Sequence, residues 1–321
     1  MICYKKILVT LFIPFIFYSC KGQNAPLEPD IKPENVTRIL KTLAADDMNG
    51  RHSLSKPDIE KAADFISLEF KNAGLSFLNH ADSYHQPFEY VRDEVNHTLN
   101  NIVGVIPGKS KKEEIVIFSA HYDHIGIIPT LSKDSIANGA DDDASGVTAV
   151  IELAKYFSKK NDNERTLIFV AFTAEELGGY GSKHFATKVN PSQIIAMFNI
   201  EMIGKHSKFG KNNAFITGYQ YSDFGKILKK NLKDSEFKFY PDPYPDQNLF
   251  YRSDNASLAE LGVPAHTISS AQIDKDKLYH TVEDEIETLD AENITSIIKA
   301  IAISSKSIIS GKDTPSRITK K

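Results

Sequence analysis

Apolar residues recur along this chain with two distinct spacings. Over residues 33–45 and 57–72 they fall three and four apart. Val36, Ile39, Leu40 and Leu43 share one face of the first segment, and Ile59, Ala62, Ala63, Ile66 and Phe70 one face of the second, which predicts two amphipathic helices. Pro33 suits a first helical turn, and Gly74 offers a left-handed stop after the second helix. Short unbroken apolar runs then follow at 102–106, 115–120, 167–172 and 194–200, rich in β-branched and aromatic residues, which read as strands. Between them, 147–157 and 180–187 keep helical spacing. A strand at 214–217, helices at 222–232 and 255–261, a strand at 265–269 and a last helix at 291–309 complete the pattern. Strands that are apolar throughout and alternate with helices predict an α/β fold, with a mixed, largely parallel central sheet covered by helices on both faces. In such sheets ligands bind beyond the carboxyl ends of the strands.

Composition changes this picture little. Of 321 residues, 41% are hydrophobic and 25% charged, as in ordinary globular proteins, and the net charge of −4 without a basic stripe excludes nucleic acid as a partner. The N-terminus changes it more. Lys5 and Lys6 precede an apolar run over 7–18 that ends at Ser19-Cys20, the layout of a secretory signal, and the run is shorter than the ~20 residues of a transmembrane helix. The ending reads as a relaxed lipobox. The expectation is therefore a signal peptide at 1–19 and a lipid on Cys20 that contacts the membrane. A tether at 20–32, a catalytic domain at 33–312 and a loose tail at 313–321 would follow, in an exported lipoprotein of the periplasm or outer membrane. Cys3 and Cys20 are the only cysteines, so the mature domain has no thiolate ligand or nucleophile.

Five polar clusters carry candidate chemistry, and four of them directly follow predicted strands or open a helix. His121-Tyr-Asp123-His124 pairs an imidazole with a carboxylate able to fix its tautomer, although His-x-Asp alone also describes a surface turn. Asp141-Asp142-Asp143, flanked by Gly139 and Gly146, opens a helix. Three adjacent acids either face solvent at a helix N-terminus or enclose a cation. Glu175-Glu176 ahead of Gly178-Gly179 suggests one metal ligand beside one general base, or else a charged loop. Glu201 follows the run ending at Ile200, and His280 lies in Tyr279-His280-Thr-Val-Glu-Asp. The other eight histidines read as surface or ordinary core residues. Two imidazoles with several carboxylates and no thiolate suit Zn²⁺, with Mn²⁺ or Co²⁺ also possible. The sequence holds no His-Glu-x-x-His, no Gly-x-Ser-x-Gly and no phosphate-binding Gly-Lys-Ser/Thr loop. The proline-stiffened stretch 240–246 fits either a wall of the site or a plain surface loop.

Together, and in this order, the clusters resemble the zinc exopeptidases of the MH clan, peptidase family M28, which includes bacterial leucyl aminopeptidases and relatives of glutamate carboxypeptidase. The likeness runs over almost the whole chain after the tether, including Asp47-Met-Asn-Gly-Arg51. It implies that His121 is a metal ligand oriented by Asp123, Asp142 a bridging carboxylate, Glu175 the general base, and Glu176, Glu201 and His280 the remaining ligands of two zinc ions per chain. It also implies a phosphorylase/hydrolase-like architecture with about eight strands and a cis peptide at Asp142–Asp143. Segment 79–101 is too short for the inserted domain of larger relatives. Two positions depart from the family pattern: Glu201 stands where many members have aspartate, and Asn255 where many have histidine, which would bear on substrate contacts.

The activity the resemblance implies is removal of N-terminal residues from peptides with a free N-terminus. Three alternatives stay open: a single-zinc glutaminyl cyclase, a carboxypeptidase or dipeptidase acting on acidic substrates with Arg252 as the basic candidate, and a non-catalytic binding relative.

Overall fold

The computed structural model describes residue 2 and residues 29–79, 81–129 and 134–319. Apart from residue 2, the expected signal peptide lies outside them, as do Cys20 and most of the tether. The strands are β1 His85–Arg92, β2 Val95–Ile106, β3 Lys111–His121, β4 Gly126–Ile127, β5 Ile136–Ala137, β6 Arg165–Phe172, β7 Ile194–Ile200, β8 Asn213–Ile216, β9 Lys238–Pro241 and β10 Ala265–Ser269. The α-helices are α1 Pro33–Leu43, α2 Lys56–Asn72, α3 Gly146–Lys160, α4 Tyr180–Lys188, α5 Phe224–Asn231, α6 Asn255–Ala259, α7 Ala291–Ser304 and α8 Lys306–Ile309.

Eight strands form one sheet in the order β1-β2-β6-β3-β7-β10-β8-β9, and β4 pairs with β5 separately. The four central strands β6, β3, β7 and β10 run parallel, while β1, β2 and β8 join antiparallel. The apolar runs explain why these strands are central. In β6, Leu167, Phe169 and Ala171 enter the core beneath α1, α2, α3 and α7, whereas Ile168, Val170 and Phe172 enter a second core beneath α4 and α6. Alternation in a pleated strand sends successive side chains to opposite faces, so a run buried on both faces must be apolar at every position. Phe118 of β3 stacks on Phe157, Phe169 and Phe198 at centroid distances of 5.5, 5.4 and 4.9 Å, tying α3 to three neighbouring strands.

His85–Ile106 forms the hairpin β1–β2 at the sheet edge. Two expectations change. The last helix breaks at Ser305 into α7 and α8. The tail is pinned rather than loose. Arg165 donates to Asp313 O (2.8 Å) and to Thr314 Oγ1 (2.6 Å), Arg317 donates to Ile194 O (2.8 Å), and Ile318 packs into the second core. A buried guanidinium needs several acceptors, and this segment supplies two of them to Arg165.

Candidate metal centre

Parallel strands end together, so β3, β6 and β7 deliver His121, the Glu175–Glu176 turn and Glu201 to one edge of the sheet. The turn ahead of α3 adds Asp142, and the loop before α7 adds His280. Ala174, Met202 and His280 all have positive φ (57°, 48° and 58°), an uncommon region for residues with a Cβ. Such positions concentrate at functional sites, where the surrounding fold holds them.

The three adjacent aspartates are all buried, so the solvent-facing alternative fails, and each does a different job. Asp141 Oδ1 accepts from Gly204 N (2.7 Å), and Asp143 Oδ1 accepts from Gly146 N (2.9 Å) and Met202 N (3.1 Å). The outer two therefore fasten the Glu201 loop to the start of α3. Asp284 accepts from the amides of Asp141 and Asp142 at 3.1 Å and fixes the turn from the other side. The Asp142–Asp143 peptide is cis.

That leaves Asp142 free to face outward with both oxygens. Its Oδ1 lies 3.2 Å from His121 Nε2, and its Oδ2 lies 3.3 Å from His280 Nε2 and 3.7 Å from His124 Nδ1. Glu176 lies 3.0 Å from both His280 Nε2 and His124 Nδ1, and Glu201 Oε1 lies 3.5 Å from His121 Nε2. Two donor sets result: His124, Asp142, Glu176 and His280 in one, and His121, Asp142 and Glu201 in the other, each with ligand atoms within 4.8 Å of one another. Among the buried polar atoms left without a hydrogen-bond partner are His121 Nε2 and Asp142 Oδ2. Buried polar atoms are rarely left unpaired, and imidazole with carboxylate donors is the chemistry of a zinc site, so these residues fit a pair of divalent cations.

The electrostatics agree. Burial disfavours the charged forms of the acids, yet the imidazoles of His121 and His280 close beside Asp142 hold it well below the usual carboxylate range, and hydrogen bonds from His124 and His280 lower Glu176. Burial opposes charge on His280 too, but Asp142 and Glu176 push it up to about 10. Glu175 differs: burial holds its carboxyl well above the usual range, with Glu201, Asp254 and Glu176 adding repulsion against the pull of His121.

Two sequence expectations are corrected by geometry. The acceptor nearest His121 Nδ1 is the main-chain carbonyl of Asp123 at 3.1 Å, and the Asp123 carboxylate stands 3.8 Å away. That carboxylate instead accepts from Ser53 Oγ (2.7 Å) and from the amides of Glu175 (3.2 Å) and Glu176 (3.4 Å), holding the glutamate turn. Asn255, expected near substrate, is buried and bonds Phe250 O, Ala265 O and Thr267 Oγ1 within the fold.

Sequence reasoning missed four residues here. His124, read as ordinary, enters the donor set of Asp142. Gly139 lets it: a Cβ there would lie 2.5 Å from the His124 ring. Arg51 is fully buried and donates to the carbonyls of Leu43, Tyr122, Asn138 and Gly139, clamping the loops that carry His121 and Asp142. Ser253 donates to Glu201 Oε2, so the longer side chain that replaces aspartate is held in place. Tyr279 stacks on His280 at 3.8 Å. The sequence signals for these were adjacency to a motif, for His124 and Tyr279, and the family likeness of 47–51, which includes Arg51 without giving it a role.

Comparison with known proteins gives the same picture. A family model described as peptidase family M28 matches residues 101–304. Leucine aminopeptidase 1 of Leptosphaeria maculans is 30% identical over 209 residues, which cover 60% of this chain and 52% of that protein. The chain spans about half the length, or less, of the curated relatives it matches. Among solved structures, a zinc aminopeptidase from Bacillus subtilis superposes with a TM-score of 0.69 at 15% identity, over 92% of this chain and 99% of that one. The glutaminyl cyclase of Bacteroides thetaiotaomicron superposes with a TM-score of 0.66 at 16% identity, over 86% of this chain and 98% of that one. At such identities the likeness is one of fold.

Proposed function

The chain belongs to peptidase family M28, and on that premise we propose that it is a zinc-dependent aminopeptidase that removes N-terminal residues from peptides. One observation carries the reading: Asp142 turns one oxygen to His121 and the other to His280 and His124, as a carboxylate shared between two cations would. His124, Asp142, Glu176 and His280 would hold one zinc, and His121, Asp142 and Glu201 the other. Bound zinc supplies Lewis-acid polarisation of the scissile carbonyl and acidifies water.

The chain's own groups do the rest. Glu175, whose carboxyl is raised by burial, is suited to take a proton from the attacking water and return it to the leaving amine. Glu201, which lines the adjoining cavity while turned to His121, would place negative charge beside the substrate's α-ammonium, which favours chain ends. Asp123, acting through the amides of the Glu175–Glu176 turn, is a positioning residue.

The test is hydrolysis of aminoacyl anilides and peptides by zinc-loaded wild type and by Glu175→Gln. We expect kcat to fall by about 10²–10⁴ in the mutant. Undiminished turnover there, or cleavage only of N-blocked peptides, would contradict the proposal, as would cyclisation of N-terminal glutamine without hydrolysis.

Export and lipid attachment belong to the same proposal. They are supported by Lys5, Lys6, the apolar run 7–18 and Ser19-Cys20. Labelled fatty acid should enter wild type and not Cys20→Ser. Equal labelling of both would contradict the anchor.

A further inference from the structure

Beside Glu201 lies a cavity of about 270 Å³, on the small side of the ~300–1,000 Å³ of pockets for drug-sized ligands, and thus scaled to a side chain or a short chain end. Gln247 and Leu249, just after the proline-stiffened stretch 240–246, line it, while that stretch itself contributes no lining residue. Met202, Phe215, Leu249, Ala271 and Ile273 make much of the lining apolar.

The polar groups of the lining are mostly committed to the fold. Thr267 Oγ1 donates to Asn255, Ser269 Oγ donates to Met202 O, and Thr217 Oγ1 accepts from Thr267 N. Ser253 donates to Glu201. Asp276 is paired with Lys205 at 2.6 Å, so its charge is compensated. Glu201 is turned toward His121. What remains is a set of donors: the Arg252 guanidinium, the Gln247 amide and the Tyr279 hydroxyl, none with a side-chain partner among the described residues. Arg252 is exposed at the rim and has no ion pair among them. A guanidinium at the rim of an apolar recess, beside free neutral donors and with the nearby acids already satisfied, complements an anionic planar group on an aliphatic stem.

We infer that Arg252 is a specificity residue that recognises a carboxylate of the substrate. The inference rests on the aminopeptidase reading and names its substrate class. Two sources share this chemistry: the side chain of an N-terminal glutamate or aspartate, and the α-carboxylate of a dipeptide.

The test compares kcat/KM for glutamyl and leucyl 4-nitroanilides, and for Leu-Gly and its C-terminal amide, in zinc-loaded wild type, Arg252→Met and Arg252→Lys. In Arg252→Met the ratio of acid-bearing to acid-free substrate should fall by about tenfold or more, mainly through KM, with partial retention in Arg252→Lys. A fall in the glutamyl-to-leucyl ratio assigns the side-chain carboxylate. A fall in the dipeptide-to-amide ratio alone assigns the terminal one. Unchanged ratios in both pairs, or equal losses on all four substrates, would overturn the inference and leave the aminopeptidase reading standing. Absence of hydrolysis of every unblocked substrate by wild type would overturn both.

Discussion

His121 and His266 sit at similar depth in the same sheet, on β3 and β10, and both are shut off from solvent. Their surroundings are opposite. His266 has both nitrogens matched within the protein: Nδ1 lies 2.8 Å from Thr217 O and Nε2 lies 2.7 Å from Ser222 Oγ, while the ring stacks on Phe224 at 4.8 Å. A neutral imidazole that donates from Nδ1 and accepts at Nε2 satisfies that site, and burial pushes its pKa down to about 4. His121 has one matched nitrogen, and its Nε2 points at Asp142 and Glu201 without a hydrogen bond. Burial would lower this pKa too, but the carboxylates in front of it hold it well above the usual value. Burial alone gives a silent core histidine. Burial facing a ring of acids gives a site completed by a cation from outside the chain.

Alanine at each histidine separates the two environments by activity and by stability. His121→Ala should lose hydrolysis to background while its melting temperature stays near that of the wild type, measured with chelator present so that zinc does not stabilise either protein. His266→Ala should do the reverse, costing about 2–4 kcal/mol in denaturant unfolding through a cavity and two stranded partners, with kcat of the folded enzyme kept. Equal loss of activity in both variants would erase the distinction.

Next in size is the acid response of the core site. The pKa of His266 lies near 4 when folded, against 6.5 as the ordinary value. The unfolded chain therefore takes up the proton first as pH falls. Stability is full above about 6.5 and is lost toward pH 4, by ~3 kcal/mol. Below that the folded state also protonates and the loss stops. Unfolding free energies measured across this window should slope less in His266→Asn, and an unchanged slope would place the acid sensitivity elsewhere.

The smallest effect concerns the support of Glu201. Ser253→Ala removes the hydroxyl that holds Glu201 Oε2. It should weaken binding of one zinc by roughly tenfold, the scale of losses when a residue supporting a metal ligand is removed. Calorimetric titration would read this directly, and unaltered affinity would mean that Glu201 needs no support.

The legibility of the molecule follows the same divide. Strands buried on both faces wrote themselves as continuous apolar runs, and β7 and β10 emerged with their observed bounds. The edge strands did not. β1 buries only Phe88 and contains Pro87, and β9 carries Lys238 and ends in Pro241; an edge strand needs neither two apolar faces nor a full ladder of amide donors. In the centre, Asp142, Glu175, Glu176 and His280 were legible because each motif sits at a strand end or a turn. His124 was not, since three residues from His121 it looks like part of a polar turn, and only the clamp of Arg51 and the gap at Gly139 bring it to Glu176. Asp123 was placed correctly in space but on the wrong bond, because sequence cannot tell a carboxylate from the carbonyl of the same residue. Ser253 and the pinned tail depend on contacts between segments far apart in the chain and left no local trace.

The most direct test of the central claim is the number of zinc ions held at one carboxylate. Zinc titrated calorimetrically into chelator-stripped protein should bind with two equivalents per chain. Glu201→Ala should keep the equivalent assigned to His124, Asp142, Glu176 and His280 and lose the other, and Asp142→Asn should weaken both. A single tight equivalent in wild type, accompanied by full hydrolytic activity, would contradict the shared-carboxylate centre.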